Sequence, residues 1–260
     1  MVSTLTSNPW IVCPKPNPKA NLRLFCFPCA GGTASAYSTW SQDLPSNVEV
    51  CSIQLPGRGR RLMEPPYTRL SRLLEAFVPL LKPYLDKPFA FLGHSMGAVL
   101  AFEVARQLRT DKNPEPIHLF ACACSAPQIP IKKPYIHKLP KSVFVAELSR
   151  RYNAIPESIR KDKAMMQLFL PSLRADLTML ETYTYTMDKP LSYPISVFGG
   201  FQDNAISIDN LEAWRQQTNS SFVIQMLTGD HFFLHNNKLS FLRALSQQLS
   251  SIKFRYSLSA

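Results

Sequence analysis

Short runs of apolar residues recur along the chain, each too brief for a helix and each followed by turn-forming residues. They fall at Leu22–Phe27, 48–55, 89–92, 117–124, 195–199 and Phe222–Leu227. Mainly apolar runs between turn signals are the pattern of strands buried on both faces. Between them the period changes. Residues 67–85 set Leu70, Leu73, Leu74, Phe77, Leu80, Leu81 and Leu85 at helical spacing, with Pro79 placed to kink or divide the helix. Residues 98–108 and 239–249 also read as helices, and 33–40 as the start of another. Strands and helices in alternation predict parallel βαβ units. Residues 1–20, rich in Pro, Asn and Ser, read as an extended lead-in with a short strand at 10–12.

The alternation stops from about 127 to 190. Three helix-like pieces replace it. Residues 142–152 carry Phe144 and Leu148, and 162–170 carry Met165, Met166, Phe169 and Leu170. The third, 171–185, opens on Pro171, which suits a first helical position, and aligns Leu173, Leu177 and Leu180. A helical insertion between two strands is a lid candidate. Its apolar side chains either line a channel or pack onto the sheet.

The chemistry centres on Gly93-His94-Ser95-Met96-Gly97, between the run 89–92 and the helix 98–108. Strand, sharp turn and helix are the context of a G-x-S-x-G nucleophile elbow. The turn lifts the Ser95 hydroxyl off the sheet edge and aims the N–H of Met96 at a bound carbonyl oxygen. Asp203 follows the run 195–199, and His231 follows Phe222–Leu227. Ser, Asp, His is the chain order of an α/β-hydrolase triad, with each member past the C-terminal end of a parallel strand. His231 is the general base, and Asp203 sets its tautomer. Asp230 competes as the acid, but it neighbours the base and follows the wrong strand. Pro28-Cys29-Ala30-Gly31-Gly32, after the first strand, reads either as a tight turn or as the source of a second oxyanion N–H. The side chain of His94 is expected to point away from the nucleophile, His118 to lie at a strand edge and His137 in a loop.

The length of 260 residues fits one α/β domain spanning 1–260. No apolar run approaches a membrane span, and the start MVSTLTSNPWIV lacks a basic segment followed by an apolar core. The expected location is the cytoplasm, with no membrane partner. The six cysteines lie mostly in apolar runs, as small hydrophobes do. Cys26-Phe27-Pro28-Cys29 is set in a loop pattern without the helix of a thioredoxin-like site, and no metal site is expected. The formal charge is +11, with denser spots at 58–61, 132–133, 150–151 and 160–163. Pro56-Gly57-Arg58-Gly59-Arg60-Arg61 reads as a basic loop with φ-permissive glycines, either solvated, the commoner case, or in contact with phosphate. The charge fits a solvated surface or a docking face for an acidic partner. Nucleic-acid binding would rest on charge alone and is not expected.

The chain resembles the type II thioesterases, stand-alone editing enzymes of nonribosomal peptide and polyketide synthesis. The segments that carry the resemblance are FCFPCAGGTASAYSTW (25–40), LPGRGRR (55–61), GHSMGAVLAFEVAR (93–106), LRADLTMLETYTY (173–185), GGFQDNAI (199–206) and TGDHFFL (228–234). They cover about residues 22 to 245. Cys29 departs from the pattern, standing where the family often has an aromatic residue or histidine. The resemblance implies an α/β-hydrolase fold, a mostly parallel sheet flanked by helices, with the insertion as its lid. It implies Ser95 as nucleophile, Asp203 as acid, His231 as base, and oxyanion N–H groups from Met96 and Ala30. It further implies acyl or peptidyl carrier domains as partners, a thioester on their phosphopantetheine arm as substrate, and no cofactor. A monomer is the default. A carboxylesterase or lipase shares the triad and stays as the alternative, followed by an acyltransferase and an inactive binding protein on the same fold.

Overall fold

A computed structural model describes residues 8–257 except 132, 153, 154 and 156. The first seven residues of the lead-in, and Lys132 of one basic spot, lie outside the described residues. Among the described residues, seven strands form one sheet. In chain order they are β1 (Ile11–Val12), β2 (Leu22–Phe27), β3 (Val48–Ile53), β4 (Phe89–His94), β5 (Leu119–Cys122), β6 (Ile195–Gly200) and β7 (Phe222–Leu227). Their spatial order is β1-β3-β2-β4-β5-β6-β7. Only β1 is antiparallel, pairing Ile11 with Ile53.

Strands β2 to β6 are buried along their whole length. Both faces are covered, which is why their sequences are mainly apolar, and the buried charges Arg23 of β2 and Glu49 of β3 pair with each other at 2.7 Å. Alternate residues still divide between the two sides. Phe25, Phe27, Ile53 and Phe91 pack beneath α1 (Leu70–Leu81) and α2 (Met96–Thr110). Leu24, Cys26, Val50 and Leu92 pack on the other side, with Trp40 and α8 (Lys238–Ser257). Residues 33–40 form no α-helix. Two 3-10 turns, Ala34–Tyr37 and Trp40–Gln42, seat the Tyr37 and Trp40 rings edge to face at 4.8 Å, and Tyr37 donates to the Phe27 carbonyl.

The insertion between β5 and β6 is helical, as expected: α3 (Lys141–Tyr152), α4 (Glu157–Lys161) and α5 (Lys163–Glu181). Its core is Ile136, Phe144, Leu148, Met166, Leu170 and Leu173, and Ala30 and Phe169 pack against it. The expected break at Pro171 does not occur, and α5 runs through it. Nor does Pro79 divide α1. Both prolines lie on the exposed side of their helix, as do Gln167 and Glu75 four residues earlier. A proline deprives the carbonyl at that position of its N–H partner, and on the wet side water replaces it. Asp162 caps α5, accepting from the N–H groups of Ala164 and Met165. The remaining helices are α6 (Ile208–Glu212) and α7 (Phe233–Asn236).

Candidate active site

The crossover from β2 leads to β3 on one side of the sheet, and that from β4 leads to β5 on the other. A crevice opens at the strand C-termini where crossovers diverge. Ser95 lies there, one residue past β4, with φ 54° and ψ −118°. A serine at positive φ is strained, and neighbours hold it in place: its N–H donates to Cys122 and its carbonyl accepts from Ala98. The flanking glycines answer to crowding. A Cβ at Gly93 would come within 2.3 Å of Ala98 Cα, and one at Gly97 within 2.2 Å of the Phe27 carbonyl oxygen. Only without those carbons does α2 start directly against the end of β2. Met96 opens α2, so its N–H has no partner within the helix.

The three residues singled out from the sequence meet. His231 Nε2 lies 3.0 Å from Ser95 Oγ, and its Nδ1 lies 2.8 Å from Asp203 Oδ2. The second oxygen of Asp203 accepts from Ala205 N–H at 2.9 Å. A carboxylate only accepts, so the ring proton sits on Nδ1, and the Nε2 lone pair faces the serine hydroxyl. His231 and Asp203 are buried, whereas Ser95 is half-exposed. Asp230 is not part of this chain of contacts. Its Oδ1 accepts from Phe232 N–H and Asn236 Nδ2, which braces the loop.

His94 does point off the nucleophile, and its position has a consequence. Its Nε2 donates to the backbone carbonyl of His231 at 2.8 Å. The ring is fully buried, and burial, followed by the charges of His231 and His235, holds its pKa well below the ordinary histidine value. An unfolded chain binds a proton here near pH 6.5, while the folded chain does not, so the unfolded state gains relative stability as pH falls below that value. Unfolding free energy is expected to drop by about 1 kcal/mol between pH 6.5 and 5.5 from this site. Urea unfolding at both pH values should show a smaller drop in His94→Gln.

His118 is buried and bonded to Ser196 Oγ at 2.8 Å, not at an open edge. His137 lies in its loop, held by Glu181 of α5 at 2.5 Å. Cys26, Cys122 and Cys124 are buried in apolar surroundings, and burial pushes the Cys124 thiol up to about 12.

A groove of about 1090 Å³ runs along loops next to the site, although none of Ser95, Asp203 and His231 lines it. Its lining includes the Cys29–Gly32 turn and Phe232, with Ile155, Met165, Leu168 and Phe169 of the helical insertion. Tyr152, at the end of α3, brings its ring centroid 5.2 Å from that of His231. A second cavity of about 710 Å³ adjoins α1, α2 and the end of α5. Its central Glu103 is taken up by Arg106 and Tyr183.

The basic loop is not solvated as expected. Arg60 is exposed, but Arg58 and Arg61 are buried. Arg61 pairs with Glu64 and stacks 3.9 Å above the Trp10 ring. Arg58 binds both oxygens of Asp176 on α5. Arg58 stood out only as part of a basic loop, and Asp176 did not stand out from the sequence. The available signal was a carboxylate three residues after Leu173 and one before Leu177, on a face otherwise apolar.

Residues 22–249 match the family model described as "Thioesterase domain". The chain belongs to the thioesterase family. It is a hydrolase acting on thioesters, with the α/β-hydrolase fold. It is 46% identical over 242 residues to the gramicidin S biosynthesis protein GrsT of Aneurinibacillus migulanus, covering 93% of this chain and 94% of that protein. The thioesterase RedJ, from the prodiginine pathway of Streptomyces coelicolor, superposes with a TM-score of 0.82 at 38% identity, covering 88% of this chain and 90% of RedJ. The type II thioesterase BorB, from the borrelidin cluster, gives 0.81 at 30% identity, covering 94% and 97%. Among the described residues of this thioesterase, no helix is long and apolar enough to cross a membrane.

Proposed function

We propose that this thioesterase is a type II enzyme that clears acyl groups from the phosphopantetheine arm of carrier domains in a nonribosomal peptide or polyketide synthase. The observation that carries the reading is the aligned Ser95, His231 and Asp203, at 3.0 and 2.8 Å. GrsT and BorB, named for such pathways, supply the biological setting.

Ser95 Oγ attacks the thioester carbonyl as its proton passes to His231 Nε2. The oxyanion is held by the N–H groups of Met96 and Ala30. The C–S bond breaks, the carrier thiol takes the proton from His231, and the acyl group stays on Ser95. Water then gives a proton to His231 and attacks the ester, and a free acid leaves with Ser95 restored. Asp203 steadies the imidazolium formed in each half. Every step moves a proton or an acyl group and calls for no cofactor. A net charge of +11 suits an acidic carrier domain as partner. The reading includes a monomer working in the cytoplasm.

Intact-mass spectrometry of a carrier domain loaded with acetyl- or octanoyl-phosphopantetheine tests this. The expected result is loss of the acyl mass alone. An acyl group that stays in place, while the oxygen ester of the same chain is cleaved, would transfer the case to a carboxylesterase.

A further inference from the structure

Asp176 lies on the lid helix α5, with 1% of its surface exposed. A buried carboxylate is costly unless paired and hydrogen-bonded. Here Arg58 offers Nη1 to Oδ2 and Nη2 to Oδ1, and the backbone N–H of Gly31 donates to Oδ2 at 2.7 Å. Arg58 is itself anchored. Its Nε donates to the Pro56 carbonyl, and its own carbonyl accepts from Gln54. The carboxylate therefore joins the lid helix to two loops, those following β2 and β3.

The loop after β2 is a tight turn. Gly32 N–H donates to the Cys29 carbonyl at 2.9 Å, and Gly31 has φ +72° while Ala30 is not at positive φ. Those are the marks of a type II turn, with Ala30 and Gly31 at its centre. Its central peptide carries the Gly31 N–H. Glycine also tolerates the type I form, in which that peptide is turned over. Turning it over would swing the Gly31 N–H away from Asp176 and pull on the adjoining Cys29–Ala30 peptide, whose N–H is the second oxyanion donor. The carboxylate selects one form of the turn. Helix α5 also presses on it from the same face. A Cβ at Gly31 would come within 2.8 Å of Phe169 Cζ and 3.3 Å of Leu173 Cδ1, and residues 169, 173 and 176 follow one another along one side of the helix. The charge of the carboxylate is felt locally: burial, and then Asp176, push the Cys29 thiol up to about 12.

We propose that Asp176 is a positioning residue, through which the seated lid helix holds the Cys29–Gly32 turn in the form that offers the Ala30 N–H to the oxyanion. The proposal rests on the acyl-transfer reading above. The Arg58 partner has a definite part in it. An unpaired anion beside a developing oxyanion would raise the barrier, and the two-pronged pair supplies an acceptor for Gly31 without net charge. The oxyanion site is thus complete only while α5 is docked.

Asp176→Ala tests the proposal through hydrolysis of octanoyl-N-acetylcysteamine and binding of two probes with the same alkyl chain. One is a trifluoromethyl ketone, which forms a tetrahedral adduct with the serine. The other is an inert thioether. The expected result is a kcat about 10- to 100-fold lower, KM changed by less than about threefold, ketone binding weakened in step with kcat, and thioether binding unchanged. Asp176→Asn keeps the side-chain shape and covers the case in which alanine unfolds the protein. Hydrogen exchange of the peptide spanning 28–33 should be about tenfold faster in it than in wild type. Equal weakening of ketone and thioether, or ketone affinity and exchange both within about twofold of wild type in the folded variants, overturns the proposal. Should wild type release no acyl group, the function reading falls, while the exchange rate still decides whether Asp176 holds the turn.

Discussion

Ser95→Ala is expected to lower acyl release from a loaded carrier by about 10⁴- to 10⁶-fold. In the proposed mechanism the hydroxyl is the group that bonds to the acyl carbon, and neither His231 nor the oxyanion N–H groups can replace it. Its hydrogen bond in this structure is to His231 Nε2, so the fold loses little. Alanine has the same Cβ as serine and inherits the strain of φ 54° unchanged. The variant should unfold within about 1 kcal/mol of wild type. Single-turnover mass spectrometry checks both halves at once: no acyl-enzyme forms, and the carrier keeps its acyl mass. A variant releasing acyl groups at a tenth of the normal rate would remove Ser95 from the mechanism.

Asp203→Asn should lower kcat by about 10⁴-fold with little change in KM. The reason lies in what each carboxylate oxygen does. One accepts from Ala205 N–H, the other from His231 Nδ1. In asparagine the carbonyl oxygen is drawn to the Ala205 N–H, which leaves the amide NH₂ facing the imidazole. A donor there favours the tautomer with its proton on Nε2, and Ser95 then meets an N–H instead of a lone pair. The imidazolium that forms during acylation also loses its counter-charge. Asp230→Asn is the control. Its side chain braces the loop through Phe232 and Asn236, so its loss should stay under about tenfold. Steady-state kinetics on a short acyl thioester separates the two, and equal losses would mean that the acid was misassigned.

Much of this was legible in the chain itself. Strands buried on both faces are mainly apolar, so Leu22–Phe27 and the run at 89–92 announced a parallel sheet. Gly93 and Gly97 flank Ser95 because a side chain at either would strike backbone, a local demand that leaves a local signature. Ser95, Asp203 and His231 each follow a strand, and strands that lie parallel bring their C-terminal ends together. The order of the elements was enough to assemble the three.

Tertiary structure decided what depends on which side of an element meets which neighbour. Pro171 reads as a helix start, yet α5 passes through it because that side faces water. Arg58 reads as a solvated cation and Asp176 as one letter in a helical stretch. They stand 118 residues apart, and Asp176 is 145 from Gly31. No local periodicity registers a bond over that span. A charged side chain looks the same in sequence whether it faces water or a buried partner. Only the seating of α5 against the loops after β2 and β3 turned these two charges into an ion pair that also holds the Gly31 N–H.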